Sequence, residues 1–158
     1  MSNDIEYLVK IDGDTAYLAV SGKASYMNCR NVGDYFAKVA ESHCKHLVID
    51  LGKCLSMDST FLGMIAGVAL RLGKENADVK LLNLNERNRQ LVENLGIYKL
   101  VKIARTAEDN NVGGTGLGVS NARQDTILQA HENLVKADGQ NLKKFEDVIS
   151  FLKKERDK

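Results

Sequence analysis

Apolar and polar side chains alternate twice near the start of the chain, at residues 6–11 and 15–21, with Asp-Gly-Asp between them. A period of two predicts half-buried strands, and Asp-Gly accepts the positive backbone dihedrals of a tight turn, so the two form a β-hairpin. From residue 31 to 42 the period lengthens: Val32, Tyr35, Phe36, Val39 and Ala40 fall on one side of a helix. The segment "KHLVIDLG" is nearly all apolar and predicts a short strand buried on both faces. Residues 59–74 predict a second helix, with Leu62, Ile65, Ala66, Ala69 and Leu72 on its buried side. The small residues Gly63 and Gly67 are expected to let this helix close on the sheet. A strand at 79–83, a helix at 86–96 and a strand at 100–103 follow.

The predicted order is β-β-α-β-α-β-α-β. Strands alternating with helices imply parallel pairing through right-handed crossovers, while the opening hairpin adds antiparallel neighbours. The fold class is therefore α/β with a mixed sheet, and residues 1–105 form one domain. At 106–121 the composition shifts. "EDNNVGGTGLGVSN" is rich in Gly and Asn and predicts a flexible linker. Its "GGTGLG" matches neither the dinucleotide pattern G-x-G-x-x-G nor a Walker sequence ending in Gly-Lys-Ser/Thr. Residues 122–158 carry two amphipathic stretches, 125–137 and 141–154, around the turn sequence "ADGQN". They predict a C-terminal helical hairpin with Ile127, Leu128, Leu134, Phe145, Val148, Ile149 and Leu152 as its apolar positions. Two helices this short cannot bury an apolar stripe alone, so the hairpin packs on the sheet domain, on a second copy in a homodimer, or on a partner.

Charge narrows the function. The 158 residues hold 22 basic and 21 acidic side chains, leaving no overall field to draw nucleic acid or an anionic membrane surface. No apolar run approaches the roughly 20 residues of a membrane span, and "MSNDIEYLVK" lacks the regions of a signal peptide. A cytoplasmic protein without membrane insertion is expected. Cys29, Cys44 and Cys54 are odd in number and widely spaced, which fits packed, reduced thiols better than disulfides. His43 and Cys44 are adjacent but lack the further ligands of a zinc site, so neither a metal nor another cofactor is expected.

The candidate chemistry lies in "LSMDSTFLG", residues 55–63, where a strand hands over to a helix. Asp58, Ser59 and Thr60 put three oxygen-bearing side chains at that junction. One reading is helix capping, since a side-chain oxygen there accepts from an unpaired first-turn amide. A second makes Ser59 a nucleophile, but the elbow G-x-S-x-G is absent, and none of the three histidines lies in an evident strand-end loop. Cys54 could attack from similar geometry, yet it is expected to pack inward. No catalytic residue is assigned. In a third reading Ser59 is a site of phosphorylation, because free amides and the positive end of the helix dipole stabilise a phosphate there.

The segments "HLVIDLGKCLSMDSTFLGMIAGVALRL" and "VKLLNLNERNRQLVENLGIYKLVKIA" resemble the STAS domain of bacterial anti-sigma factor antagonists. That family carries a turn of the form M-D-S-S/T-G-L-G after a strand, and a distal G-x-x-K-(L/I)-(V/I) that "GIYKLV" matches. The resemblance covers about residues 5–104. It implies a non-enzymatic switch in transcription regulation. Ser59 would be phosphorylated, with Thr60 as the alternative, by a serine kinase that is itself the anti-sigma factor. Unphosphorylated protein would bind that partner, and a phosphatase would reset the cycle. The resemblance assigns the partner-binding surface to Met57, Asp58, Ser59, Thr60 and Phe61, joined by Lys23 and Ser25. Two segments depart from the family pattern. Phe61 stands where the family has glycine and is expected in the core, and Lys23 and Ser25 replace acidic residues. A scaffold or transport-associated module, holding a protein or small ligand without phosphorylation, is the alternative within the same fold.

Overall fold

The computed structural model describes residues 5–106 and 113–158. Strands β1 (Glu6–Asp12) and β2 (Thr15–Ala24) form the opening hairpin, with Gly13 at a φ of 63° in the turn. Helix α1 (Arg30–Glu41) follows, then β3 (His46–Met57), α2 (Ser59–Gly73), β4 (Asp78–Leu82), α3 (Glu86–Asn94), a 3-10 turn (Ile97–Lys99) and β5 (Lys102–Ala104). A short strand, β6 (Thr115–Gly116), and the helices α4 (Gln124–Ala137) and α5 (Asn141–Arg156) complete the chain. The sheet order is β5-β4-β3-β2-β1-β6. Strands β2 to β5 run parallel, and β1 is antiparallel to both its neighbours.

That order decides where the core lies. From β2 to β5 each new strand is added on the same side of the last. Right-handed crossovers repeated in one direction put α1, α2 and α3 on one face of the sheet. Burial follows: Leu47, Ile49 and Leu51 of β3 are buried, while Val48 and Asp50 between them are only half-buried. Contrary to the expectation from its composition, β3 is therefore buried on one face rather than two.

The predicted linker also differs from expectation. Residues 107–112 of it lie outside the described residues, but the remainder is tied down. Thr115 and Gly116 add a sixth strand to β1, and the Leu117 amide donates to the Tyr7 carbonyl at 2.9 Å. The outer edge of β1 has unpaired backbone groups, and an extended polar segment satisfies them whatever its side chains. Farther on, the Ala122 amide donates to the Tyr26 carbonyl at 2.6 Å, and Arg30 Nε donates to the Asn121 carbonyl at 2.8 Å.

The C-terminal hairpin forms as expected and packs in cis. Of the three arrangements open to it, the one observed sets α4 along α2. Here the structure corrects the role of Gly63 and Gly67. A Cβ on Gly63 would lie 2.1 Å from the Ala130 carbonyl oxygen, and one on Gly67 2.3 Å from Asn133 Nδ2. The two glycines let α4, not the sheet, approach the α2 backbone. The opposite side of α2 supplies the sheet-facing core.

Candidate functional site

Strands β2 and β3 project past the rest of the sheet. Partners of β4 on β3 end at Asp50, but pairing with β2 continues to Ala24 opposite Met57. Irregular register between Ala19 and Ser21, and again between Gly22 and Lys23, twists this ribbon. Ser59 thus begins α2 beyond the carboxyl end of the sheet, where open α/β sheets hold their binding sites.

Asp58 builds the turn. Its Oδ1 accepts from the Phe61 amide at 2.9 Å, which is a helix N-cap, and its Oδ2 accepts from the Tyr26 amide at 2.9 Å. Its own amide donates to the Ala24 carbonyl at 3.0 Å. One side chain thereby ties the start of α2 to the loop at residues 25–29. That loop is closed internally by Asn28, whose Oδ1 accepts from the Ser25 amide and the Tyr7 hydroxyl, and whose Nδ2 donates to the Lys23 carbonyl. Ser25 Oγ accepts from the Met27 amide at 3.2 Å. Both Asp58 oxygens are engaged in positioning.

The residues named from the sequence separate into two sets. Ser59 and Asp58 are half-buried and Lys23 is exposed, whereas Met57, Thr60 and Phe61 are buried. Phe61 is 0% exposed and stacks on Tyr7 with ring centroids 6.1 Å apart, so its core placement is as expected. Three large apolar side chains that sequence reasoning did not single out surround the turn instead. Tyr26, Met27 and Leu55 are 47%, 57% and 60% exposed.

The contact that sequence reasoning missed comes from the C-terminal hairpin. His131 of α4 is 4% exposed, and its Nδ1 lies 2.7 Å from the Ile127 carbonyl. That carbonyl can only accept, so Nδ1 carries a proton, and in the neutral ring Nε2 is left as an acceptor. Ser59 Oγ lies 2.9 Å from Nε2 and donates to it in that neutral form. The imidazole also meets the Phe145 ring of α5 edge-on, with centroids 5.1 Å apart. A signal was available: His131 sits four residues after Ile127 and three before Leu134, on the apolar stripe of its helix.

A serine hydroxyl donating to an imidazole is the first half of a nucleophile–base pair. Among the described residues no carboxylate orients the imidazole. The orienting group on Nδ1 is a backbone carbonyl rather than a carboxylate, and the ring is enclosed by Phe145 and α2. A groove of about 770 Å³ opens between α1, α2 and α4, but its walls are Phe36, Met64, Val68, Arg71, Gln129 and their neighbours, and Ser59 is not among them. Cys54 is not activated either. Burial pushes its thiol up to about 11, and burial reinforced by the Asp58 charge pushes Cys29 up to about 12. Cys29, Cys44 and Cys54 are all buried and unpaired. Among the described residues no helix is long and apolar enough to cross a membrane.

A serine at the first position of a helix capped by Asp58, beyond the carboxyl end of a one-sided mixed sheet, marks the site of this small α/β module. A family model described as "Mlab, STAS domain" matches residues 8–102. The chain belongs to the STAS domain family. Solved structures agree on the fold. An anti-sigma factor antagonist from Mycobacterium paratuberculosis aligns with a TM-score of 0.56 at 21% identity, covering 68% of this chain and 92% of its own. The anti-sigma factor antagonist SpoIIAA in its unphosphorylated form aligns at 0.53 and 15% identity, covering 67% and 92%. The phosphorylated form of the Bacillus cell fate determinant SpoIIAA aligns at 0.56 and 13% identity, covering 67% and 96%. A sequence comparison with curated proteins finds no match. The α4–α5 hairpin lies beyond the matched family segment.

Proposed function

We propose that this protein is a phosphorylation-controlled anti-sigma factor antagonist, a non-enzymatic cytoplasmic regulator. In this reading it binds an anti-sigma factor that is also a serine kinase while Ser59 is unphosphorylated. Phosphorylation releases it and a phosphatase restores it. The observation that carries the reading is the position of Ser59: first residue of the 15-residue α2, directly after the capping Asp58. Unpaired first-turn amides and the helix dipole favour a phosphate there by about 0.3–1 kcal/mol. The fold is shared with SpoIIAA, which occurs in phosphorylated and unphosphorylated forms, and this supports phosphorylation as the mode of control. In the transfer, Oγ would attack the terminal phosphorus of a nucleoside triphosphate held by the kinase. The bridging oxygen would leave with the diphosphate, and the hydroxyl proton would pass to a base.

The docking surface in this reading joins the exposed Tyr26, Met27 and Leu55 to Lys23, Ser25, Asp58 and Ser59, with Met57, Thr60 and Phe61 as its buried support. Residues 1–105 act as the STAS unit. The second reading, a scaffold or transport-associated module binding a protein or small ligand without phosphorylation, is favoured by one contact: the Ser59 hydroxyl is already held by His131. Intact mass of protein purified from its own host, with peptide mapping of residues 55–71, separates the two. One phosphate on Ser59 supports the switch, and an unmodified residue under all growth conditions supports the scaffold.

A further inference from the structure

We infer that His131 is the base that takes the Ser59 proton, so that the chain brings its own activated serine to a modifying partner. The inference rests on the phosphorylation reading for its biological meaning, while its chemistry stands on this chain alone. Ser59 Oγ and His131 Nε2 are 2.9 Å apart, within the hydrogen-bond reach that a general base needs. The ring is also held in the useful tautomer. Its Nδ1 donates to the Ile127 carbonyl at 2.7 Å, one turn back on α4, which in the neutral ring leaves Nε2 to accept. Phe145 meets the ring edge-on and fixes its plane. His131 is 4% exposed, so little water competes for Nε2. Ser59 is half-buried, and its hydroxyl is reached from solvent with α4 and α5 in place. The nucleophile thus faces out with the base behind it.

The neighbouring carboxylates are otherwise engaged. Asp58 precedes Ser59, but its two oxygens accept from the Phe61 and Tyr26 amides. Glu132, beside His131 on α4, is paired with Lys153 of α5 at 3.6 Å. The ring's own partners from α2, α4 and α5 are the Ser59 hydroxyl, the Ile127 carbonyl and Phe145, all uncharged. His131 lies beyond residues 8–102, so the C-terminal hairpin adds this base to the segment the family model matches. In the step assigned, Oγ attacks phosphorus while its proton passes to Nε2. The leaving group departs with the electron pair of its bond to phosphorus. The product is a phosphoserine beside an imidazolium whose Nδ1–H stays on the Ile127 carbonyl. A carbonyl stabilises that cation less than a carboxylate would, which places the gain at the low end of the range for general bases, about 10²-fold.

Labelling of the full chain with diisopropyl fluorophosphate, assigned by peptide mapping, tests this without a partner. Oγ displaces fluoride from phosphorus, and the exposed Ser150 of α5 serves as the internal reference. Ser59 is expected to be labelled about a hundredfold faster than Ser150. Its rate should fall as the pH is lowered and the imidazole takes up a proton, and should level off above that titration. His131→Gln, with its fold checked by far-UV circular dichroism, should bring Ser59 down to the Ser150 rate and remove the plateau. Wild-type Ser59 labelled no faster than Ser150 would overturn the assignment. A rate that climbs in proportion to hydroxide, with no plateau, would overturn it too, since hydroxide would then be the base. So would an unchanged rate in folded His131→Gln. The wild-type profile decides even if that variant does not fold. An unmodified Ser59 in the host would sink the phosphorylation reading and leave this reactivity standing. A slow Ser59 that is phosphorylated in the host would sink the base and leave the reading.

Discussion

The bond between Ser59 and His131 can be weighed by a double-mutant cycle. Ser59→Ala removes a donor and leaves the buried Nε2 of His131 without a partner, which costs about 1–3 kcal/mol. His131→Ala removes that acceptor and the edge contact with Phe145, the latter worth about 0.5–1.5 kcal/mol, along with the burial of the ring. The single changes are expected to destabilise by about 1–3 and about 2–4 kcal/mol. In the double variant the shared bond is lost once, so the two effects should fall short of their sum by about 0.5–1.5 kcal/mol. Urea unfolding of the full chain, followed by far-UV circular dichroism, measures this, and unchanged m-values show that the same surface unfolds each time. A control cycle pairs Ser59→Ala with His46→Ala, at the far end of β3 beside Asp78, where additivity is expected. If the Ser59–His131 coupling lies within about 0.3–0.5 kcal/mol of zero, like the control, the hairpin does not engage the serine in solution and the closed site is wrong.

Three further outcomes are expected. Phe61→Ala should destabilise by about 3–5 kcal/mol in thermal or urea unfolding, because it opens a cavity beneath Tyr7; a loss under about 1 kcal/mol would mean the ring is not core. Asp58→Ala should lower stability by about 0.5–2 kcal/mol through the lost cap and raise amide exchange in residues 25–29, while the same change without loosening of that loop would refute its bridging role. Stability should decline with rising alkalinity. The Cys29 and Cys54 thiols ionise near 9.0 when unfolded but at about 12 and about 11 when folded, so the unfolded chain sheds protons first. Their contribution is whole below pH 9 and disappears between pH 9 and 12, and Cys29→Ala with Cys54→Ala should flatten that decline.

How much of this could be read from residues alone varied with the range of the interaction. The hairpin, three crossover helices and both C-terminal helices rest on local periodicity and capping, and their positions match to within a few residues. Strand β3 misled because "HLVID" is apolar enough for two buried faces, and only the strand order reveals that all helices share one side. Strand β6 left no pattern in "GGTGLG", since its pairing uses backbone groups alone. Gly63 and Gly67 announced a close approach without saying to what. At the site, Asp58 and Ser59 were legible from capping chemistry. For His131 the apolar stripe made burial legible but not the contact, because its partner lies 72 residues away and only tertiary packing joins them.

The margins of the sheet bear on self-association. One outer strand, β5, has three residues and the other, β6, has two. Neither offers the run of unpaired amides and carbonyls that an invading strand needs as a template. Without β6 this changes, for β1 would present its free edge at Tyr7, Leu8 and Val9. A chain shortened to residue 105 would be expected to join copies of itself edge to edge and precipitate. The segment that leads to the C-terminal helices thus also works as a selvedge, keeping the sheet from being extended by its neighbours.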